Sequence, residues 1–99
     1  MRYAFKNLRA RLTGPRAVAL GYEAGRDVAP RVVATGQGHI AEQIIAAAKA
    51  HAVPIREDPV LVAALATVDL DATIPPELYA VVAEVLAFVY RIKQRQPHP

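Results

Sequence analysis

The fold of this chain is most constrained by two short apolar runs, residues 17–22 and residues 31–35. Each run ends at a glycine-containing turn, which is the pattern of a strand bounded by chain breakers. The eight residues between the runs, 23–30, include Gly25 and Pro30. A connection of this kind predicts that the two strands form a hairpin or a close pair.

A helical pattern follows the second run. Apolar residues recur at i, i+4, i+5 and i+8, at Ile40, Ile44, Ile45 and Ala48. This spacing predicts an amphipathic helix that ends near His51. Gly36-Gln37-Gly38 would form the turn into the helix, where glycine permits a positive φ. The triplet lacks the lysine of a nucleotide-triphosphate loop and the third glycine of a dinucleotide fingerprint, so we do not predict a phosphate site.

Residues 53–56 contain β-branched side chains and predict a third strand, entered from the second by a right-handed crossover through the helix. Pro54 cannot donate a hydrogen bond to a neighbouring strand, so the start of this strand is expected at a sheet edge. Asp58 followed by Pro59 predicts the N-cap and the first position of a short second helix. Residues 68–74 follow as a polar loop.

A last helix is predicted to start at residues 75–77, because proline is tolerated and an acid is favourable in a first helical turn. From residue 78 to residue 90 the only charged side chain is Glu84. Two faces are apolar, one with Leu78, Val82, Val85, Val89 and Ile92 and the other with Tyr79, Ala83, Leu86 and Tyr90. A helix that is apolar nearly all round is buried on several sides or has a binding surface.

Together these elements predict an α/β fold, a small mixed β-sheet of three to four strands surrounded by three to four helices. Residues 3–12 would add an extra strand or an extra helix, or would lie free. The length of 99 residues fits one domain, and 54% hydrophobic residues supply enough apolar surface for folding. The absence of cysteine excludes disulfides, thiolate metal sites and cysteine nucleophiles.

Charge separates the ends of the chain from its middle. Residues 1–16 hold five cations and residues 91–99 hold three, with no acid in either stretch. Residues 17–90 hold four cations and nine carboxylates, a net charge of −5. We therefore divide the chain into a basic N-terminal segment (1–16), a folded domain (17–93) and a flexible tail (94–99).

Targeting signals are not evident in the sequence. No apolar stretch reaches the roughly 18 to 20 residues that a membrane-spanning helix needs. The basic N-terminus has neither the apolar core nor the cleavage site of a secretory signal. We therefore expect a cytoplasmic protein.

Polar side chains do not assemble into a recognisable catalytic or metal-binding set. His39, His51 and His98 lack the spacing of metal ligands. The candidate acids stand beside prolines or in loops, at Glu57, Asp58, Asp69 and Asp71. Helix capping explains acids in such places without catalysis. We therefore predict no enzyme, no metal and no cofactor.

The basic N-terminal segment supports an alternative hypothesis, a small module that binds nucleic acid or an anionic membrane surface. Tyr3 and Phe5 would then stack on bases or insert at the bilayer interface. Such binding would weaken steeply with salt, because each phosphate contact releases counterions. A solvated basic tail has the same composition, so the sequence does not decide between these interpretations.

A family resemblance covers about three quarters of the chain, residues 17–93. The matching pieces are AVAL (17–20), APRVVA (29–34) followed by Gly36, VP (53–54), IP (74–75), LY (78–79) and AEVLA (83–87). Their order resembles the cytoplasmic C-terminal domain of the FlhB/YscU family, the substrate-specificity switch proteins of flagellar and injectisome type III secretion. The resemblance implies a non-enzymatic accessory of the export apparatus.

The sequence departs from that family in two respects. Family members have a transmembrane region before this domain, whereas this sequence has none, which implies a free-standing copy of the cytoplasmic part. The family also cleaves itself at an Asn-Pro-Thr-His motif, where the asparagine side chain attacks its own carbonyl. The equivalent stretch here is Leu12, Thr13, Gly14, Pro15 and Arg16, with leucine at the asparagine position. We therefore predict no autoproteolysis.

The resemblance also implies a partner-binding surface. In the family this domain docks with the export gate and receives secreted substrates, and the matching positions here are Ala29, Pro30, Ala83 and Leu86. Expected partners are the membrane switch protein, the cytoplasmic domain of the export gate and secreted substrates. We expect no stable nucleic-acid partner, and membrane association only through partners. Ala83 and Leu86 could instead be core residues, and the sequence does not distinguish a flagellar from an injectisome system.

Overall fold

The protein is described by a computed structural model that covers residues 1–8, 14–23 and 25–85. Four strands form one sheet: β1 (Arg2–Asn7), β2 (Arg16–Gly21), β3 (Arg31–Gln37) and β4 (Ile55–Glu57). The helices are α1 (His39–Ala50), α2 (Pro59–Leu65) and a 3₁₀ turn (Pro76–Leu78) that leads into the last helix, residues 79–85. The predicted α/β fold with a small mixed sheet is confirmed. No helix within the described ranges has the length and apolarity needed to cross a bilayer.

The strands lie in the order β3-β2-β1-β4. The two apolar runs form the predicted close pair, since β2 and β3 are antiparallel from Arg16↔Gln37 to Gly21↔Arg31. Strand β1 is antiparallel to β2 and parallel to β4. Strands β3 and β4 therefore run in the same direction, and α1 is the predicted crossover between them. Strand β4 is an edge strand, as the position of Pro54 predicted.

The N-terminal residues form the extra strand that the sequence left open. Strand β1 is a central strand, and Tyr3 and Phe5 on it are 4% and 1% exposed. Side chains buried to this degree cannot stack on bases or insert into a membrane, so the role suggested for these two rings is wrong. The basic N-terminal segment and the domain after it share one sheet.

The two faces of the sheet have different cores. Large side chains face α2 and the last helix, including Tyr3, Phe5, Val18, Leu20 and Val32. On the other face Ala17 packs against Ala41 and Ile45 of α1. Small side chains on that face let the helix lie close to the strands. Burial also raises the pKa of the Tyr3 hydroxyl, because the phenolate would lose its hydration.

Hydrogen bonds at the end of α1 and at the start of α2 set the limits of β4, which lies between the two helices. The Leu61 N–H donates to Asp58 Oδ1 at 3.0 Å, which confirms the predicted N-cap of α2. The strand predicted from residue 53 starts at Ile55 instead. The reason is that the Val53 N–H donates to the Ala48 carbonyl at 2.8 Å and the preceding Ala52 adopts a φ of 54°. This Schellman-type closure of α1 uses the backbone that would otherwise begin the strand.

The turn from β3 into α1 requires glycine for two reasons. Gly38 is the N-cap of α1 with φ 58° and ψ −126°, so the predicted positive φ is confirmed at this residue. Gly36 has no unusual φ, but a Cβ placed there would lie 2.8 Å from the Cβ of Ile40. The close approach of α1 to β3 therefore leaves no room for a side chain at position 36.

Candidate functional site

A cavity of about 280 Å³ lies between the loop after β2 and the last helix. Its lining is mostly apolar and consists of Tyr22, Val28, Ala29, Pro30, Ile74, Tyr79, Val82 and Ala83. Three of the four residues proposed for the partner surface, Ala29, Pro30 and Ala83, are brought together in it. Leu86 lies outside the described residues. We call this cavity the Ala-Pro pocket.

One wall of the Ala-Pro pocket is formed by the turn after β2, in which polar groups hydrogen-bond to one another. The Glu23 N–H donates to Asp27 Oδ2 at 2.8 Å, and the Asp27 N–H donates to the Glu23 carbonyl at 2.8 Å. The Arg26 guanidinium lies 3.2 Å from the Glu23 carboxylate. Polar groups of the turn thus satisfy one another, and the next residue, Val28, is left 94% exposed at the pocket rim.

The opposite wall is held by hydrogen bonds to the outer edge of β3. The Ile74 N–H donates to the Pro30 carbonyl at 2.9 Å, and the Val32 N–H donates to the Ala72 carbonyl at 3.0 Å. These bonds place the segment before the last helix beside Pro30. Ala29 itself is 3% exposed, so it forms the floor of the pocket rather than its rim.

The two apolar faces of the last helix have different surroundings: one packs into the core, and the other lies at the pocket. Val82 and Val85 are buried at 1% and 6% exposure. On the other predicted face, Tyr79 is 41% exposed and Ala83 is also exposed. Within the described part of this helix, one face therefore stabilises the core while the other is available at the pocket.

The Ala-Pro pocket offers apolar contact and two tyrosine side chains. Among the described residues that line it, none has a carboxylate, an imidazole or an ammonium group. This composition suits the binding of an apolar side chain rather than acid–base chemistry. Val28 and Tyr22 were not among the residues predicted from the sequence, although an isolated valine inside a charged turn is a signal of an exposed apolar contact.

Within the stretch predicted to match the family's cleavage motif, Gly14 and Pro15 lie beside the start of α1. Leu12 and Thr13 are outside the described residues. Gly14 has a φ of 72°, and a Cβ there would lie 3.4 Å from the Gly38 Cα. The Pro15 carbonyl accepts a hydrogen bond from the Gly38 N–H at 2.7 Å, and Arg16 is the first residue of β2.

We expect the purified chain to remain intact, because leucine has no side-chain nucleophile to attack its own carbonyl. Intact mass spectrometry after prolonged incubation at neutral pH should show only the full mass of 10.7 kDa. Fragments from a break between Leu12 and Thr13 would contradict this expectation. A parallel incubation with protease inhibitors identifies a contaminating protease, because the inhibitors would suppress its cut.

Solved structures with the same fold come from export proteins. The crystal structure of the cytoplasmic domain of FlhB from Shewanella putrefaciens matches with a TM-score of 0.81 and 32% identity. The match covers 98% of this chain and 80% of that one. A mutated EscU C-terminal domain matches with a TM-score of 0.78 and 26% identity over 87% of this chain and 81% of its own. The chain therefore has the fold of the FlhB-type C-terminal domains.

The sequence comparisons agree with the structural class. Residues 13–89 match the model of the FlhB HrpN YscU SpaS family. The chain belongs to this family, which is associated with protein export, type III secretion and flagellar biogenesis. This finding confirms the resemblance that the sequence motifs suggested.

Two relatives differ in how much of their length the chain spans. The protein YlqH of Bacillus subtilis is 47% identical over 79 residues, which are 80% of this chain and 85% of YlqH. The flagellar biosynthetic protein FlhB of Salmonella typhimurium is 43% identical over 91 residues, 84% of this chain and 24% of FlhB. The chain therefore spans about a quarter of the FlhB protein that it matches.

Proposed function

We propose that this chain is a non-enzymatic component of a flagellar or type III export apparatus that docks an apolar partner segment in the Ala-Pro pocket. The supporting observation is that Ala83 lines one cavity of about 280 Å³ together with Ala29 and Pro30, although it is distant from them in the sequence. Each was expected at a partner surface from the family motifs alone. The role places the chain in the cytoplasm, beside the membrane only through its partners.

Exposed apolar side chains at the pocket favour docking over a purely structural cavity. Val28 is 94% exposed and Tyr79 is 41% exposed, and both line the pocket. Apolar side chains grouped around a concave surface are typical of sites that bind another protein. The candidate partners are the cytoplasmic domain of the export gate, the membrane switch protein and secreted substrates.

A complementation experiment tests this function. The chain is expressed in cells whose export switch protein lacks the region after its cleavage site, and the secretion of late substrates and co-purification with the gate are measured. We expect the chain to co-purify with the gate and to restore secretion. Co-purification without rescue would favour a regulator that occupies the site, and the absence of both would contradict the proposal.

Ala83→Asp is expected to reduce partner binding at least about tenfold, because the new carboxylate would be desolvated against the apolar side chain of the partner. The matched control is Val81→Asp on the same helix, since Val81 is 46% exposed and does not line the pocket. Binding is measured by titration with the isolated gate domain. Equal losses in the two variants would contradict a role for the pocket.

A further inference from the structure

A second cavity of about 410 Å³ lies between α1 and the sheet. It shares no lining residue with the Ala-Pro pocket. Ala19 and Ala34, which are paired between β2 and β3, line it together with Ile40 and Ile44 of α1. Ala19 and Ala34 are too short to fill the groove beside α1, and Ile40 stays 56% exposed at its rim. We call this cavity the α1 groove.

The α1 groove has a cationic group, the guanidinium of Arg2. Arg2 and His51 are among its lining residues, and none of the described residues that line it has a carboxylate. Within the described residues Arg2 forms no ion pair. Arg31 lies in the same row across the sheet, since Gly21 pairs with both Arg2 and Arg31. A ligand that fits this groove would combine an aliphatic side chain with carboxylates.

The chain itself displays such an element in the loop after α2. Leu70 is 56% exposed and stands between Asp69 and Asp71, which are also exposed. Neither acid forms an ion pair within the described part of the chain. We call these three residues the Asp-Leu-Asp loop.

Hydrogen bonds hold the Asp-Leu-Asp loop in its exposed conformation. The Asp71 N–H donates to the Val32 carbonyl at 2.8 Å, and the Ala72 N–H donates to the Asp69 carbonyl at 3.1 Å. The φ of 68° at Asp71 shapes the turn. The loop is thus fixed to the outer edge of β3 and does not occupy the groove of its own chain. A preorganised loop loses little conformational freedom when it binds.

We propose that the Asp-Leu-Asp loop of one copy docks in the α1 groove of a second copy. Leu70 would lie against the paired alanines of the groove, and the two carboxylates would face Arg2. Because each copy has both the loop and the groove, the contact supports self-association. A contact built on one leucine and a few charges is small and therefore weak. The Ala-Pro pocket stays open, so this inference does not depend on the proposed function.

Sedimentation equilibrium of the full chain, from micromolar to millimolar concentration, tests the proposal. We expect concentration-dependent self-association that weakens as salt is raised. Leu70→Ser and Arg2→Glu should each raise the dissociation constant at least about tenfold. Val60→Ser is the matched control, because Val60 is 82% exposed on α2 and lies outside the groove. A chain that stays monomeric at millimolar concentration would overturn the proposal.

A charge-reversal pair distinguishes this contact from any other self-association. Arg2→Glu and the double variant Asp69→Lys with Asp71→Lys should each fail to self-associate, whereas an equimolar mixture of the two should form heterodimers. All these positions are exposed, and circular dichroism verifies that the variants fold. Association that survives Leu70→Ser, or a mixture that stays monomeric while both variants are folded, would overturn the proposal. Association that is lost in Ala83→Asp but not in Leu70→Ser would also overturn it, by assigning the contact to the Ala-Pro pocket.

Discussion

Phe5→Ala is expected to lower the free energy of unfolding by about 3–5 kcal/mol, the range found when a buried aromatic side chain is truncated to alanine. Phe5 is 1% exposed and lies on the central strand β1, within the larger of the two cores. A loss of this size is a large fraction of the total stability of a small domain. Urea unfolding followed by circular dichroism measures it.

Leu8→Ala provides the matched control for that measurement. Leu8 lies just past β1 in the same basic segment and is 51% exposed. Its truncation should change the unfolding free energy by less than about 0.5 kcal/mol. If both variants lost equally little stability, the N-terminal segment would not contribute a strand to the core, contrary to the structure.

Gly36→Ala is expected to destabilise the protein by about 1–3 kcal/mol through overpacking. The added Cβ would lie 2.8 Å from the Ile40 Cβ and even closer to its Cγ2, so α1 must move away from β3. The measurement is again urea unfolding, now combined with Ile40→Ala in a double-mutant cycle. Ile40 is 56% exposed, so its truncation by itself should cost little.

The double-mutant cycle tests whether the Ile40 side chain causes the loss of stability. Because truncation at position 40 removes the Cγ2 atom, Gly36→Ala should cost less in the Ile40→Ala background than in the natural sequence. Additive effects would show that the Cγ2 atom of Ile40 is not the source of the cost, which would then lie in the Cβ contact that alanine retains or in the backbone of β3. The same close approach positions the α1 groove, so self-association should weaken in parallel.

Much of the fold could be predicted from residues that lie close together in the sequence. The paired strands β2 and β3, the helix after the two glycines and the cap at Asp58 were all predicted and are confirmed. Each depends on periodicity or on a residue's own backbone preference, and both act within a few positions of the chain. Pro54 likewise indicated the edge strand, since a missing N–H is a property of that residue alone.

Other features could not be derived from local patterns. Residues 2–7 are rich in charge, so their position in the centre of the sheet depends on partners far along the chain, in β2 and β4. The start of β4 was predicted two residues early because the closure of α1 by Ala52 competes for the same backbone. Tertiary pairing and helix capping outweighed the composition in both places.

The sequence by itself determined the fold class and, through its motifs, the family, because apolar periodicity and motif order are linear properties of the chain. It also suggested Ala29, Pro30, Ala83 and Leu86 as positions of a partner surface, through residue-by-residue matching to the family. Only the tertiary structure decided that Ala29, Pro30 and Ala83 line one cavity and that Val28 stands exposed beside them. The hydrogen bonds between β3 and residues 71–74 bring the distant segments together, and no local pattern encodes such a pairing.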